Sequence, residues 1–282
     1  MITESIYRNE AGENEIMSYY DSILSIWPVK FETKRLMTKH GDTFVITSGE
    51  KNAPSLILLH GAASNSTAWA GEVAEYSRHF RVYAIDILGE PGKSSHNRLR
   101  WDSLDYAEWL NDLLTALAIK KTSIVGLSQG AWTALRFATC YPEKIEKLVL
   151  LTPAGIVPTK VNFILKAVFY SLFGKAGAKK INRIVVGKQD LNLKAIHFMD
   201  LIQTNFKARV EKEYIFSDSE LSKLGMPILL IGGTDDVIRS AEAIAERLQR
   251  LVSKLTVNLI PRMGHVLVGL NQQIITFLIN DN

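Results

Sequence analysis

Ser128 stands in the pentapeptide Gly126-Leu127-Ser128-Gln129-Gly130, after the apolar run Ile124-Val125 and before a stretch of good helix formers. A serine with glycines two places before and two places after it, between a strand and a helix, fits a sharp strand-to-helix turn. Such a turn holds the serine in a strained backbone conformation and lifts its hydroxyl above the sheet edge. The glycines remove Cβ atoms that would collide where helix meets strand. A hydroxyl so placed can attack a carbonyl. It then needs a base, an acid to steady the base, and donors for the oxyanion that forms.

The chain has six histidines. His40, His79 and His96 sit in polar turns and His197 on a later helix, which leaves His265, after Pro261-Arg262-Met263-Gly264 and a buried strand, as the base. The acid should follow a strand and precede His265. Ile231-Gly232-Gly233-Thr234 leads into two candidates, Asp235 and Asp236, whereas the earlier strand end Leu151-Thr152-Pro153-Ala154-Gly155 offers no carboxylate. Either aspartate would hold the imidazole's second nitrogen and stabilise its cation. For the oxyanion, the backbone N–H of Gln129 lies at a helix N-terminus, where free amides favour negative charge. A second donor belongs in the turn after Leu59, at Ala62, with Gly61 letting that backbone come close. His60 and Asp86 read as organisers of the strand-end loops.

Elements that could position these groups are legible as patterns. Apolar runs at 55–59, 81–88, 148–151, 227–231 and 255–260 read as strands buried on both faces, as parallel strands are. Residues 34–39 and 43–47 form a hairpin around His40-Gly41-Asp42. Helical periodicity marks 16–27, 69–79, 104–118, 131–140, 241–251 and 272–278. Strand–helix alternation argues an α/β fold with a mostly parallel, doubly wound sheet, whose ligands bind beyond the carboxyl ends of the strands. The alternation stops between residues 153 and 224. Helices at 161–173 and 191–210 there form a helical cap insertion. The organisation is a tail and helix at 1–32, with residues to about 15 loosely attached, a core at 33–152, the cap at 153–224, and the rest of the core at 225–282.

A hydrophobic content of 47% against 22% charged residues suits a globular domain with a sizeable core. One cysteine, Cys140, excludes an intrachain disulfide and a cysteine metal cluster; it reads as a small packing residue in a reducing, cytoplasmic setting. The glutamate-bearing start is unlike a signal peptide, and no apolar stretch reaches the roughly 18 residues of a membrane span. The net charge of +4 gives no argument for nucleic acid. Between residues 154 and 223, twelve Lys and Arg stand against six Asp and Glu, so the basic character belongs to the insertion. That excess over some seventy residues is a modest argument for an anionic membrane surface. The apolar residues Phe163, Ile164, Val168, Phe169, Leu172 and Phe173 suit either an apolar pocket or packing on the core.

Together these residues resemble the α/β-hydrolase fold family over residues 33–280. His60-Gly61-Ala62 matches its oxyanion turn, Ser128 its nucleophile and Gly264-His265 its base. The family's Gly-x-x-Asp spacing from Gly232 points to Asp235 as the acid. The order Ser, Asp, His is also the family's. Trp27-Pro28-Val29 and Asp86-Ile87-Leu88-Gly89 are similar to segments of bacterial carboxylesterases of the carboxylesterase NP type. Two departures stand out: the loop Asp86 to Ser94 is one residue longer than the usual Asp-x-x-Gly-x-Gly-x-Ser, and Gly130-Ala131 replaces Gly-Gly.

Haloalkane dehalogenases and epoxide hydrolases need aspartate where Ser128 stands, so both are excluded. The resemblance implies hydrolysis of a small, largely apolar carboxylic ester through an acyl-enzyme, without cofactor or metal. Carbon–carbon bond hydrolases, thioesterases and cofactor-free peroxidases use the same parts, and a triad-retaining sensor of small molecules is the non-enzymatic alternative.

Overall fold

The computed structural model describes residues 5–189, 191 and 193–280. Its eight strands form one sheet: β1 (Phe31–Thr38), β2 (Gly41–Ser48), β3 (Ser55–Leu59), β4 (Arg81–Ile85), β5 (Thr122–Leu127), β6 (Ile145–Leu151), β7 (Ile228–Gly233) and β8 (Leu255–Ile260), in the order β1-β2-β4-β3-β5-β6-β7-β8. The strands from β4 to β8 are parallel, and β1 and β2 join antiparallel at one edge. The outermost strand, β1, is largely exposed and carries Glu32, Lys34 and Arg35, charges that discourage pairing with another edge.

Helices cover both faces: α1 (Glu10–Ser25), α2 (Val73–Tyr76), α3 (Asp105–Ala116), α4 (Gln129–Cys140), α5 (Val161–Ser171), α6 (Gly174–Val186), α7 (Leu193–Asn205), α8 (Asp218–Leu221), α9 (Ala241–Leu251) and α10 (Asn271–Ile279). Side chains alternate across the central strands, as a period of two requires. Ile57 and Leu59 of β3 pack in the layer that holds α3, α4 and α9. Leu56 and Leu58 pack in the opposite layer with Tyr20 of α1, Tyr76 of α2 and Ile274 of α10. Both layers exclude water, which is why these strands read as unbroken apolar runs. Among the described residues no helix is long and apolar enough to cross a membrane.

Several elements differ from the sequence expectation. The helix expected at 69–79 is a 3₁₀ turn, Ser66–Trp69, and the single turn α2, with Gly71 between them; a glycine inside a helix costs about 1 kcal/mol against alanine. Helix α6 lies where none was expected, because Gly174, Gly177 and its lysines mask the period. Helix α7 stops at Asn205, short of 210; positions 190 and 192, beside the expected start, lie outside the described residues. Residues 5–15 are not loose. Ile6 and Tyr7 are buried against Ile16, Leu201, Ile202 and Phe206, and the Lys207 N–H donates to Ile6 O at 2.8 Å. Two apolar residues are too few to show a period, yet they suffice to anchor the segment; residues 1–4 of that expected tail lie outside the description.

Candidate active site

Ser128 links β5 to α4 with φ 51° and ψ −105°, a left-handed conformation that costs a non-glycine residue about 1–3 kcal/mol. Hydrogen bonds hold it there. Its N–H donates to Leu151 O at 2.9 Å, and its carbonyl accepts from Trp132 N at 3.0 Å. The flanking glycines are steric necessities. A Cβ on Gly130 would lie 2.1 Å from Leu59 O, and one on Gly126 would lie 2.6 Å from Ala131 Cα. Close contact of α4 with β3 and β5 thus fixes the glycine–serine–glycine spacing.

His265 follows β8, and its ring reaches both ways. Nε2 is 3.1 Å from Ser128 Oγ, and Nδ1 is 2.8 Å from Asp236 Oδ2. With Nδ1–H donating to the carboxylate, Nε2 is free to accept the serine proton. The ring is nine-tenths buried. Its backbone is held by α6, where His265 N–H donates to Val185 O at 3.3 Å, and Gln189, just after that helix, donates through Nε2 to the carbonyl of the next residue, Val266, at 2.6 Å.

The carboxylate against the imidazole is Asp236, which corrects the expectation of Asp235. Strand β7 runs on to Gly233, past the expected end at 231. Asp235 N–H then donates to Met263 O at 2.9 Å, leaving the residue exposed, while Asp236 N–H turns back to Gly233 O at 3.1 Å and its side chain goes inward. Asp236 Oδ1 accepts from the N–H groups of Ile238 (2.7 Å) and Arg239 (3.2 Å). Burial pushes the Asp236 carboxyl up, but the hydrogen bond and charge of His265 and these two amides outweigh it and hold it below the ordinary value.

Ala62 lies in the turn after β3, and Gln129 is the first residue of α4. Neither backbone N–H donates to an acceptor among the described residues. Gly61 has more room than expected, since a Cβ there would meet Leu127 at an ordinary 3.6 Å. The turn is held from below by Glu90, a residue the sequence reading passed over. Glu90 is 2% exposed, and its Oε2 accepts from Ala63 N–H at 2.7 Å. Burial pushes its carboxyl up to about 7, against the pull of that amide, the Gln129 side chain, Arg98 and Arg209. The available signal was an acidic residue inside the lengthened glycine–proline loop after β4.

His60 and Asp86 organise the loops around the site. His60 Nε2 accepts from Ile87 N–H at 2.9 Å and Nδ1–H donates to Gly61 O at 2.8 Å, while burial lowers the ring's pKa and keeps it neutral. Asp86 accepts from the N–H groups of Ser66 (2.8 Å) and Lys93 (2.7 Å). His40, Asp105 and Glu108 bring possible metal-ligating atoms within 4.8 Å of one another, but they lie on none of the loops carrying Ser128, Asp236 and His265, and Lys39 already pairs with Glu108.

A strained serine at the carboxyl end of a central parallel strand, facing a histidine and aspartate from the last two strand ends, defines a class of fold and site. The α/β hydrolase fold family model matches residues 54–172. Carboxylesterase YbfK of Bacillus subtilis is 31% identical, with 92% of each chain covered. Its crystal structure, that of carboxylesterase CesB (YbfK), superposes with a TM-score of 0.85 at 28% identity over 95% of this chain and 99% of that one. The naproxen esterase (carboxylesterase NP) of Bacillus subtilis gives a TM-score of 0.83 at 28% identity over 96% and 99%. The chain belongs to the α/β-hydrolase fold family. It is a carboxylesterase-like enzyme.

Proposed function

We propose that the chain hydrolyses carboxylic esters of small, largely apolar acids through an acyl-enzyme on Ser128. The observation that carries this reading is the continuous path from Ser128 Oγ through both nitrogens of His265 to Asp236 Oδ2. His265 Nε2 takes the serine proton as Oγ attacks the carbonyl, and Asp236 stabilises the imidazolium that forms. The N–H groups of Gln129 and Ala62 receive the oxyanion; one such donor is worth about 2.7–4 kcal/mol elsewhere. His265 then returns the proton to the departing alcohol. Water, activated by the same nitrogen, attacks the acyl-enzyme and frees the acid.

Residues 153–224 act as the cap that selects the ester, and the cycle needs neither cofactor nor metal. The compartment is cytoplasmic, in keeping with the lone Cys140. The name of the naproxen esterase relative supports an apolar, aryl-bearing acid as one substrate class to try first.

A series of p-nitrophenyl esters of rising acyl length, run on the wild type and Ser128→Ala, tests the reading. Turnover should be present in the wild type and lost in the variant, with a fluorophosphonate labelling only the wild type. Hydrolysis that survives Ser128→Ala would overturn the mechanism. Labelling without turnover of any ester would leave a binding protein in its place.

A further inference from the structure

Helix α5 wears its apolar face outward. Val161, Ile164, Leu165, Val168, Phe169 and Leu172 recur at the spacing of a buried helical stripe, yet they are 68%, 46%, 62%, 62%, 55% and 78% exposed. No residue of α5 is buried, and only Phe163, Ala167 and Tyr170 on the opposite side are partly covered. The sequence allowed these side chains a pocket or the core; most of them meet neither.

The charge around this face has one sign. Residues 160–188 contain Lys160, Lys166, Lys175, Lys179, Lys180, Arg183 and Lys188, and no Asp or Glu. All of these cations are exposed, and none forms an ion pair among the described residues; Lys160 alone has its Nζ engaged, donating to Asp236 O at 2.6 Å. The modest excess averaged over the whole insertion is therefore concentrated on one helical hairpin.

An exposed apolar stripe of this length, on a helical hairpin whose charged residues are all exposed cations, calls for a partner. A small ester is too short to cover a helix face roughly 16 Å long. A second copy of the chain would satisfy the apolar side chains but set two acid-free, sevenfold basic segments against each other. An anionic bilayer satisfies both: the aliphatic and aromatic side chains enter the headgroup region, and the lysines meet lipid phosphates.

We infer that the outer face of α5, with the cations of α6, docks on an anionic phospholipid bilayer, so that the chain works at a lipid surface without spanning it. This does not depend on which ester is cleaved.

Co-sedimentation of the full-length protein with vesicles tests it. Binding is expected to vesicles of phosphatidylcholine with phosphatidylglycerol, to be at least about tenfold weaker on phosphatidylcholine alone, and to fall as salt rises. Phe169→Ser with Leu172→Ser should abolish binding, and Lys175→Glu with Lys179→Glu and Lys180→Glu should weaken it by about tenfold or more. Far-UV circular dichroism and the melting temperature should be unchanged in both variants, so that a loss of vesicle binding is not a loss of fold. Equal binding to both lipids, no binding to either, or binding that survives both variants would overturn the inference. A dimer in sedimentation velocity that Leu172→Ser dissociates, with no vesicle binding, would assign the face to a second copy instead.

Discussion

Asp236 divides its carboxylate between two tasks, one oxygen for His265 and the other for the amides of Ile238 and Arg239. An amide in its place would put the wrong partner against Nδ1–H. Asp236→Asn should therefore lower kcat by about 10⁴-fold, the loss the equivalent change causes in a serine protease. Asp235→Asn should leave kcat within about twofold, as expected of an exposed side chain away from the path. Ester turnover by the two purified variants decides between them. Ser128 and His265 were legible in the sequence because glycine spacing and position after a strand mark them. The choice between adjacent aspartates was not, because it turns on where β7 ends, and two glycines at that end give no pattern to count.

Glu90 carries a different consequence. Its carboxyl titrates near 7 in the fold against an ordinary 4.5, with Arg98, Arg209, Tyr7 and Tyr106 as its charged and titratable neighbours. Between pH 4.5 and 7 the native state keeps a proton that the unfolded chain has shed. Stability therefore falls as pH rises through that window, by up to something on the order of 3 kcal/mol from this group. Glu72, pushed up to about 7 mainly by burial, has the same sign. The informative quantity is then the difference between proteins: from pH 5 to pH 8, the Tm of Glu90→Gln should drop less than that of the wild type.

At the scale of elements, β5, α4 and β3 meet more closely than side chains allow. Gly130→Ala would drive a Cβ to 2.1 Å from Leu59 O, whereas Gly61→Ala would add an ordinary contact at 3.6 Å. Gly130→Ala should cost more than about 3 kcal/mol or prevent folding, while Gly61→Ala should stay within about 1 kcal/mol of wild type by urea unfolding. The sheet was readable because strands such as Ser55–Leu59 are buried on both sides and so nearly all apolar. Helix α6 was not, since its two glycines and its lysines disguise a helix held by neighbours. Gly177, for example, packs where a Cβ would strike Tyr170 O.

Over the whole molecule, the chain between β6 and β7 is fastened to the sheet by a few polar and aromatic contacts. Buried Arg136 of α4 stacks on Tyr214 and Phe216, at 4.3 and 4.9 Å, and its Nη1 donates to Glu220 Oε1 at 3.0 Å. Arg136→Ala removes that clamp and should cost about 2–3 kcal/mol, lowering Tm by roughly 5–10 °C in thermal unfolding. Arg136→Lys should recover little of the loss, since an ammonium lacks the flat guanidinium face. These contacts join residues far apart in sequence and have no local period, so they could not be read from the chain alone. The docked segment around Ile6 and Tyr7 was hidden for the same reason.

The bond from His265 N–H to Val185 O bears on how far this fold can be re-engineered. Exchanging the helices between β6 and β7 for those of another hydrolase looks like a change of selectivity alone. Here the exchange would also take away the carbonyl that seats His265, the proposed base, and the Gln189 amide that steadies the next residue. A graft that ignores those two acceptor and donor positions would alter proton transfer along with substrate choice. With the roles proposed for residues 153–224 and for His265, selectivity and catalysis are not separable modules in this chain.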